Sequence, residues 1–340
     1  MWRKTSGHKS NALKNLIRSA IEGNVTAAAR LITLAEAGGE PALEVQNRVF
    51  PHTGRAHLLG ITGPAGVGKS TLINKLAAQL AAPGRKVAII ACDPSSPNTG
   101  GALLGDRIRM NDLVLDEQVF IRSFATREST GSLPLAALRA ADILDASGFG
   151  TIIIETVGTG QNQVDIMQAA HTIIAVSAPG LGDDIQAMKS GLLEIADIHV
   201  VSKSDLGSSG KTRTQIEHAV LLRKGALHGD KSKDGWDPVV LPVSSLENKG
   251  LPELKQAIKA HYDFLLEDEN MPRRVHRMLQ MRIYREAMEI LEQSFNATPG
   301  EHFSSQIEQV SRREKNPTEA ARDMLKGQLR KAVSHGWILK

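Results

Sequence analysis

The stretch Gly60-Ile-Thr-Gly63-Pro-Ala-Gly-Val-Gly68-Lys69-Ser70-Thr71 decides the fold. Gly63, Gly68, Lys69 and Ser70 fit the spacing G-x-x-x-x-G-K-[ST], after a β-rich run and at the opening of a helical one. That context gives the spacing its meaning. Glycines let successive backbone N–H groups turn inward as an anion nest. The start of the following helix adds a partial positive charge. The Lys69 ammonium can reach the β- and γ-phosphates of a nucleotide, and the Ser70 hydroxyl is a ligand for Mg²⁺. Gly63, Ala65, Gly66, Val67, Gly68, Lys69, Ser70 and Thr71 are therefore the candidate triphosphate-binding residues.

Around this turn, short β-rich runs alternate with helical stretches. The runs are Leu58–Thr62, Lys86–Cys92, Gln118–Phe124, Thr151–Glu155, Thr172–Ser177, Ile198–Ser202 and Val239–Val243. Several, such as Thr151-Ile-Ile-Ile154, are almost continuously apolar. Such strands are covered by helices on both faces of a parallel sheet, and their alternation with helices indicates βαβ units. The sequence predicts an α/β fold: a doubly wound, mostly parallel sheet over 56–265, with helical extensions at 1–55 and 266–340.

In the first extension, Leu13, Leu16, Ile17, Ala20 and Ile21 recur at helical spacing. Asn24 is a cap for a second helix, Val25 to Ala37, which Gly38-Gly39 ends. The first 21 residues are basic and free of acids, as in a cleaved transit segment, but their helical face favours a structural hairpin. In the last extension, Met281, Tyr284, Met288, Leu291 and Phe295 follow a 3-4 spacing. That stripe suits packing onto the chain's own domain or a seam between two copies. Asn316-Pro317 starts a last helix, predicted to run to Trp337.

Further chemistry collects at the ends of the predicted strands, where ligands of open α/β sheets bind. Glu155 ends a strand opposite the phosphate turn and can hold Mg²⁺ directly or through water. Gly158, three residues on, can offer its N–H to a γ-phosphate and so sense hydrolysis. Asp93 ends another strand, and Gly105-Asp106-Arg107 follows a Pro/Gly/Ser-rich stretch; either Asp106 approaches the metal and Arg107 or Arg109 meets phosphate, or the segment is a solvated charged turn. Lys69, Asp106, Glu155 and Gly158 form the candidate catalytic set, and Ser70, Asp93, Asp106 and Glu155 the candidate metal set. The base-reading signal is Ser202-Lys203-Ser204-Asp205. A carboxylate only accepts hydrogen bonds, so Asp205 matches the N1–H and N2–H₂ donors of guanine, a donor pair that adenine lacks. The segment resembles the N/T-K-x-D motif of GTP-binding proteins, which implies that Lys203 stacks over the base. Ser244, Ser245 and Leu246 lie near the position of the S-A-x motif of such proteins, whose backbone N–H meets guanine O6.

Composition narrows the alternatives. A chain of 340 residues can bury a sizeable core without crosslinks. The single cysteine, Cys92, excludes an intramolecular disulfide and a cysteine-based zinc cluster. No apolar run is long enough to span a membrane. The net charge of +4 divides unevenly. Both ends are basic, and residues 56–270 carry 20 basic against 25 acidic side chains, the reverse of a nucleic-acid-binding core. Aromatics at 4% argue against a base-stacking platform.

With these residues in place, the chain resembles the MeaB/ArgK family of P-loop GTPases, chaperones of coenzyme-B12-dependent acyl-CoA mutases. The likeness covers about residues 10–295 and rests on specific strings. They are the phosphate turn, Asp93-Pro-Ser-Ser-Pro97, Gly105-Asp-Arg107, Glu155-Thr-Val-Gly158 with Gly160-Gln161, and Pro179-Gly180 with Gly182-Asp183, Gln186, Lys189 and Gly191. The resemblance implies that GTP or GDP and Mg²⁺ are the cofactors and that Asp93, Asp106 and Glu155 surround the metal. It implies that the loop from Pro179 to Gly191 contacts the mutase through Asp183, Gln186 and Lys189. It implies a C-terminal dimerisation arm, and hence a homodimer, working in the cytoplasm or in a mitochondrial matrix. The partner it implies is methylmalonyl-CoA mutase or a relative acting on isobutyryl-, 2-hydroxyisobutyryl- or ethylmalonyl-CoA.

Ser202 departs from the usual Asn or Thr of the base motif, a residue that ties this loop to the phosphate turn. Weaker binding with unchanged base choice is expected. Thr159, rather than a glutamine, follows Gly158, so slow intrinsic hydrolysis is expected, quickened when the mutase orders the switches. Two other readings carry less. A metal-delivery GTPase usually holds a ligand cluster, whereas the 11 histidines here are scattered. An ATP-using kinase or transport ATPase conflicts with Asp205.

Overall fold

The computed structural model describes residues 4–94, 117–126, 133–156, 165–180, 191–226, 235–296 and 300–334. The chain divides into two compact units, Met1–Leu279 and Gln280–Lys340. The first unit opens with three helices, α1 (Lys4–Ile21), α2 (Val25–Ala37) and α3 (Gly39–Val49). The Asn24 side chain caps α2, accepting from the Ala27 N–H at 2.9 Å. Gly38 ends α2 with φ +75°, and α3 begins at once. That third helix was not expected, because Gly38-Gly39-Glu40-Pro41 looks like a breaker. Pro41 falls in the first turn, where its missing N–H costs nothing. Ala42, Val45 and Val49 then bury one face.

β1 (His57–Thr62), β2 (Val87–Pro94), β3 (Val119–Thr126), β4 (Thr151–Glu155), β5 (Thr172–Ser177), β6 (Ile198–Val201) and β7 (Val239–Pro242) fall on the seven runs read from the sequence, with ends moved by one or two residues. Among the described residues they form one sheet in the order β3-β2-β4-β1-β5-β6-β7, every pairing parallel. Between them lie α4 (Lys69–Leu80), α5 (Leu135–Ala146), the short α6 (Leu192–Ile195) and α7 (Ser209–Ala226), with α8 (Leu251–Leu266) after β7.

Alternation along each strand builds two cores. Ile152 and Ile154 of β4, with Ala88, Ile90 and Cys92 of β2, face a core walled by α2 and α5, where Leu31, Ile32, Leu138 and Leu144 are buried. Ile153, with Leu59 and Ile61 of β1, faces the opposite core, built from Leu72, Ile73 and Leu76 of α4 and Leu254 and Ile258 of α8. β4 and β5 are buried on both faces because each face has its own helical layer. Cys92 is a small packed residue of the first core.

α9 (Asn270–Asn296) starts in the first unit and continues into the second, which also holds α10 (Gly300–Ser311) and α11 (Pro317–Ser334). The Asn316 side chain caps α11 through the Glu319 N–H at 2.9 Å. α10 was not foreseen. On α9, Tyr284 is 67% exposed, and Ile283, Met288 and Ile290 are exposed beside it.

A buried polar network closes the foot of the sheet, at the ends of the strands away from the phosphate turn. Thr172 of β5 lies 2.7 Å from His57 Nε2 and 2.8 Å from His261 Nδ1. The His261 ring approaches Asp197 at 3.4 Å. Asp197 in turn accepts from the Ile173 N–H at 2.7 Å and from Arg274 Nη2 at 2.8 Å. The His57 ring stacks on Tyr262 at 4.1 Å between centroids and lies 6.3 Å from the His171 ring. Burial, aided by the charges of His171 and His261, pushes the His57 pKa down to about 3. Burial and the Arg274 charge push His171 down to about 4. Both rings titrate near 6.5 in the unfolded chain, which therefore binds more protons than the fold below that pH. Stability is complete above pH 6.5 and is lost on acidification toward pH 4, at about 1.4 kcal/mol per pH unit for each ring. Urea unfolding at stepped pH should show this slope, and His171→Asn should roughly halve it. A flat profile from pH 6.5 to 4.5 would refute the assignment.

Candidate nucleotide site

The phosphate turn leaves the central strand β1 where the sheet order reverses, the place for a ligand in an open α/β sheet. Gly63 has φ +147°, and a Cβ there would lie 2.2 Å from the Val176 carbonyl oxygen of β5. Only glycine lets the turn pass this close to the neighbouring strand. Val67 is wholly buried among Ile61, Leu72 and Ile73 and pins the turn to the core. Ala65 and Gly66 form its exposed tip, and Gly68, with φ +94°, leads into α4. The Lys69 ammonium is buried and folds back over the turn, donating to the carbonyls of Gly63 at 2.8 Å and Pro64 at 2.9 Å. Its charge is thus already stationed inside the turn. An incoming phosphate would offer it anionic oxygens in place of these neutral carbonyls. Thr71 lies exposed on the first turn of α4.

The Ser70 hydroxyl donates to Glu155 Oε1 at 3.2 Å. The β1–β4 register sets Glu155 beside Ile61, so the end of β4 reaches the level of the phosphate turn. A hydroxyl and a carboxylate side by side are hard oxygen donors that suit Mg²⁺. These two residues fit that ion and could hold it between them. Of the other residues expected here, Asp93 is the penultimate residue of β2 but its side chain lies outside the described residues, and Asp106, Arg107, Gly158, Asp183, Gln186 and Lys189 lie outside them altogether.

The base-reading segment is clamped onto the phosphate turn. The buried Ser202 hydroxyl lies 2.5 Å from the Val67 carbonyl and 2.8 Å from that of Ser177. Lys203 takes a left-handed conformation, φ +52°, and its ammonium donates to the Gly66 carbonyl at 2.9 Å. The shorter serine therefore still makes the bridge to the phosphate turn.

The Asp205 carboxylate stands exposed beyond this clamp, oriented by Ser244. The Ser244 hydroxyl donates to Asp205 Oδ1 at 2.6 Å and accepts from the Glu247 N–H at 3.2 Å. Reciprocal backbone bonds of 3.0 Å between Ser244 and Lys249 close the turn that carries Ser245 and Leu246. Leu246 is 81% exposed at its tip. The Ser244 hydrogen bond holds the Asp205 carboxyl below its ordinary range, helped by the charges of Lys203 and Lys249. The group is thus an anion and a pure acceptor at neutral pH. Sequence reasoning placed Ser244 near the base but missed that its side chain orients Asp205. The two lie 39 residues apart, and only the pairing of β6 with β7 brings them together.

A seven-stranded parallel sheet whose central strand turns through a glycine-rich loop into a helix defines a P-loop nucleotide-binding protein. Residues 28–299 match the family described as "Methylmalonyl Co-A mutase-associated GTPase MeaB". The chain is 42% identical over 317 residues to a putative GTPase of Pyrococcus abyssi, covering 92% of this chain and 96% of that one. It is 39% identical over 254 residues to the GTPase ArgK of Escherichia coli, covering 72% and 75%. A crystal structure titled as an LAO/AO transport system kinase superposes with a TM-score of 0.66 at 25% identity, over 93% of this chain and 97% of that one. The chain belongs to the MeaB family of GTPases.

Proposed function

We propose that this protein is a Mg²⁺-dependent GTPase that serves a B12-dependent acyl-CoA mutase as a chaperone, using its nucleotide state to gate adenosylcobalamin loading and to protect or reactivate the mutase. The observation that carries the guanine reading is Asp205: an exposed, ionised acceptor, aimed by Ser244, on a loop tied to the phosphate turn. The family's association with methylmalonyl-CoA mutase supports the partner class.

In this reading Lys69 exchanges the carbonyls of Gly63 and Pro64 for β- and γ-phosphate oxygens. The turn's backbone N–H groups surround the same phosphates. Ser70 and Glu155 would hold Mg²⁺, with Asp93 and Asp106 as its other candidate ligands. Bound there, the ion would neutralise charge that develops on the transferred phosphoryl group. Asp205 and Lys203 fix the base, with the Ser245 and Leu246 segment beside it. Hydrolysis in a site of this kind is mostly positioning, so a partner that contacts Gly158, Asp183, Gln186 and Lys189 would speed it. The exposed apolar face of α9 at Ile283, Tyr284, Met288 and Ile290 supports a homodimer through the C-terminal arm. The family likeness favours the cytoplasm, or the mitochondrial matrix if the source is eukaryotic.

The test is GTP turnover by purified protein, alone and with a candidate mutase, with ATP as competitor. Slow turnover alone, stimulated by the mutase and indifferent to ATP, is expected. Full-speed turnover alone that no mutase alters would overturn the chaperone reading.

A further inference from the structure

Two threonines that have so far been given no role of their own meet directly behind the site. Thr62 is the last residue of β1, one before Gly63, and Thr156 follows Glu155, the last residue of β4. Their hydroxyls are hydrogen-bonded at 2.9 Å, Thr156 donating to Thr62. The Thr156 N–H donates to the Ile61 carbonyl at 3.1 Å, which carries the β1–β4 pairing one step past the end of the sheet. Thr62 is 0% exposed and Thr156 2%.

Strand alternation sets their side. Ile153, and with it Glu155, faces the core under α4, where Val67 and Leu72 lie. Ile154, and with it Thr156, faces the opposite core. The hydroxyl pair therefore sits behind the sheet, away from Ser70 and Glu155. It belongs to the two residues that begin the phosphate turn and continue from the metal-facing carboxylate. Valine would fill the same volume and pack equally well at both positions. What the hydroxyls add is a directional bond at the last point before the two strands part.

Resting on the nucleotide and Mg²⁺ reading of the site, we infer that Thr62 and Thr156 are positioning residues. Their hydroxyl pair clasps the root of the phosphate turn to the root of the Glu155 segment and sets the Ser70–Glu155 separation that the ion requires. Groups behind a metal site that orient its ligands commonly act on metal affinity in this way. The pair touches neither nucleotide nor metal.

The test is the double variant Thr62→Val/Thr156→Val. It preserves shape and removes both hydroxyls together, so that neither is left buried without its partner. GDP affinity is measured by fluorescent-nucleotide titration in EDTA and across a Mg²⁺ series, with thermal unfolding as a check on the fold. The expected result is a Mg²⁺ midpoint raised by about tenfold, with EDTA affinity within about twofold of the wild type. The double serine variant, which keeps both hydroxyls, should return the midpoint to the wild-type value.

An unchanged midpoint in the valine variant overturns the clasp. So does an equal loss with and without Mg²⁺, because that marks general damage. A midpoint that serine fails to restore overturns it as well. A wild-type protein that binds no guanine nucleotide, or whose GDP affinity ignores Mg²⁺, removes the underlying reading and the clasp with it. That outcome is seen in the wild type before any variant is made.

Discussion

Replacing Asp205 by Asn is expected to move the protein's preference from guanine to xanthine nucleotides. In the proposed site the carboxylate receives both N1–H and N2–H₂ of guanine. Hydrogen bonds to a charged group are worth about 1.5–3 kcal/mol each, so losing the pair costs guanine roughly two to four orders of magnitude in affinity. Xanthine carries a carbonyl in place of the 2-amino group, and the Asn amide can donate to it. The Ser244 hydroxyl, now 2.6 Å from Asp205 Oδ1, can still donate to the Asn oxygen and keep the side chain aimed. The measurement is competition of GDP and XDP against one fluorescent nucleotide, for wild type and variant. Equal weakening for both bases, with no gain for xanthine, would exclude Asp205 as the base reader.

The largest effect on stability is expected from Asp197→Ala, at the other end of the sheet. Asp197 is only 8% exposed, and its carboxylate takes the Ile173 N–H, the Arg274 guanidinium and the edge of the His261 ring. Alanine would leave the buried Arg274 without its counter-charge and the Ile173 N–H without its acceptor. Removing one member of a buried pair costs about 3–5 kcal/mol, because the remaining charge stays in a medium that solvates it poorly. Asp197→Asn, which keeps an acceptor and loses the charge, should cost less. Denaturant unfolding of both variants gives the ordering, and a loss under about 1 kcal/mol for Ala would show that the network contributes little. Nucleotide affinity below the unfolding transition should be unaffected, since this network and the phosphate turn lie at opposite ends of the strands.

The strands were legible because of their burial. Thr151–Glu155 and Thr172–Ser177 are buried on both faces and read as unbroken apolar runs, and they occur where that pattern places them. The phosphate turn was legible because its chemistry is local: eight consecutive residues contain the glycines, the lysine and the hydroxyl. What stayed hidden depends on partners far away in the chain. His57 and Thr172 are 115 residues apart and Arg274 and Asp197 are 77 apart, so no spacing rule links them. The Thr62–Thr156 and Asp205–Ser244 pairs are hidden for the same reason. α3 was obscured by a different cause. Local propensity at Gly38-Gly39-Glu40-Pro41 favours a break, and the apolar face at Ala42, Val45 and Val49 overrides it through tertiary burial.

The first core has one further consequence, for the order in which the chain is made. Leu31 and Ile32 of α2 are buried against a layer that includes Leu138 and Leu144 of α5, roughly 100 residues later. A ribosome adding about 5–20 residues per second releases α2 several seconds before α5 exists. During that interval the amino-terminal helices must carry a bare apolar face in the company of other nascent chains. The helices synthesised first can therefore finish folding only after the middle of the sheet has emerged.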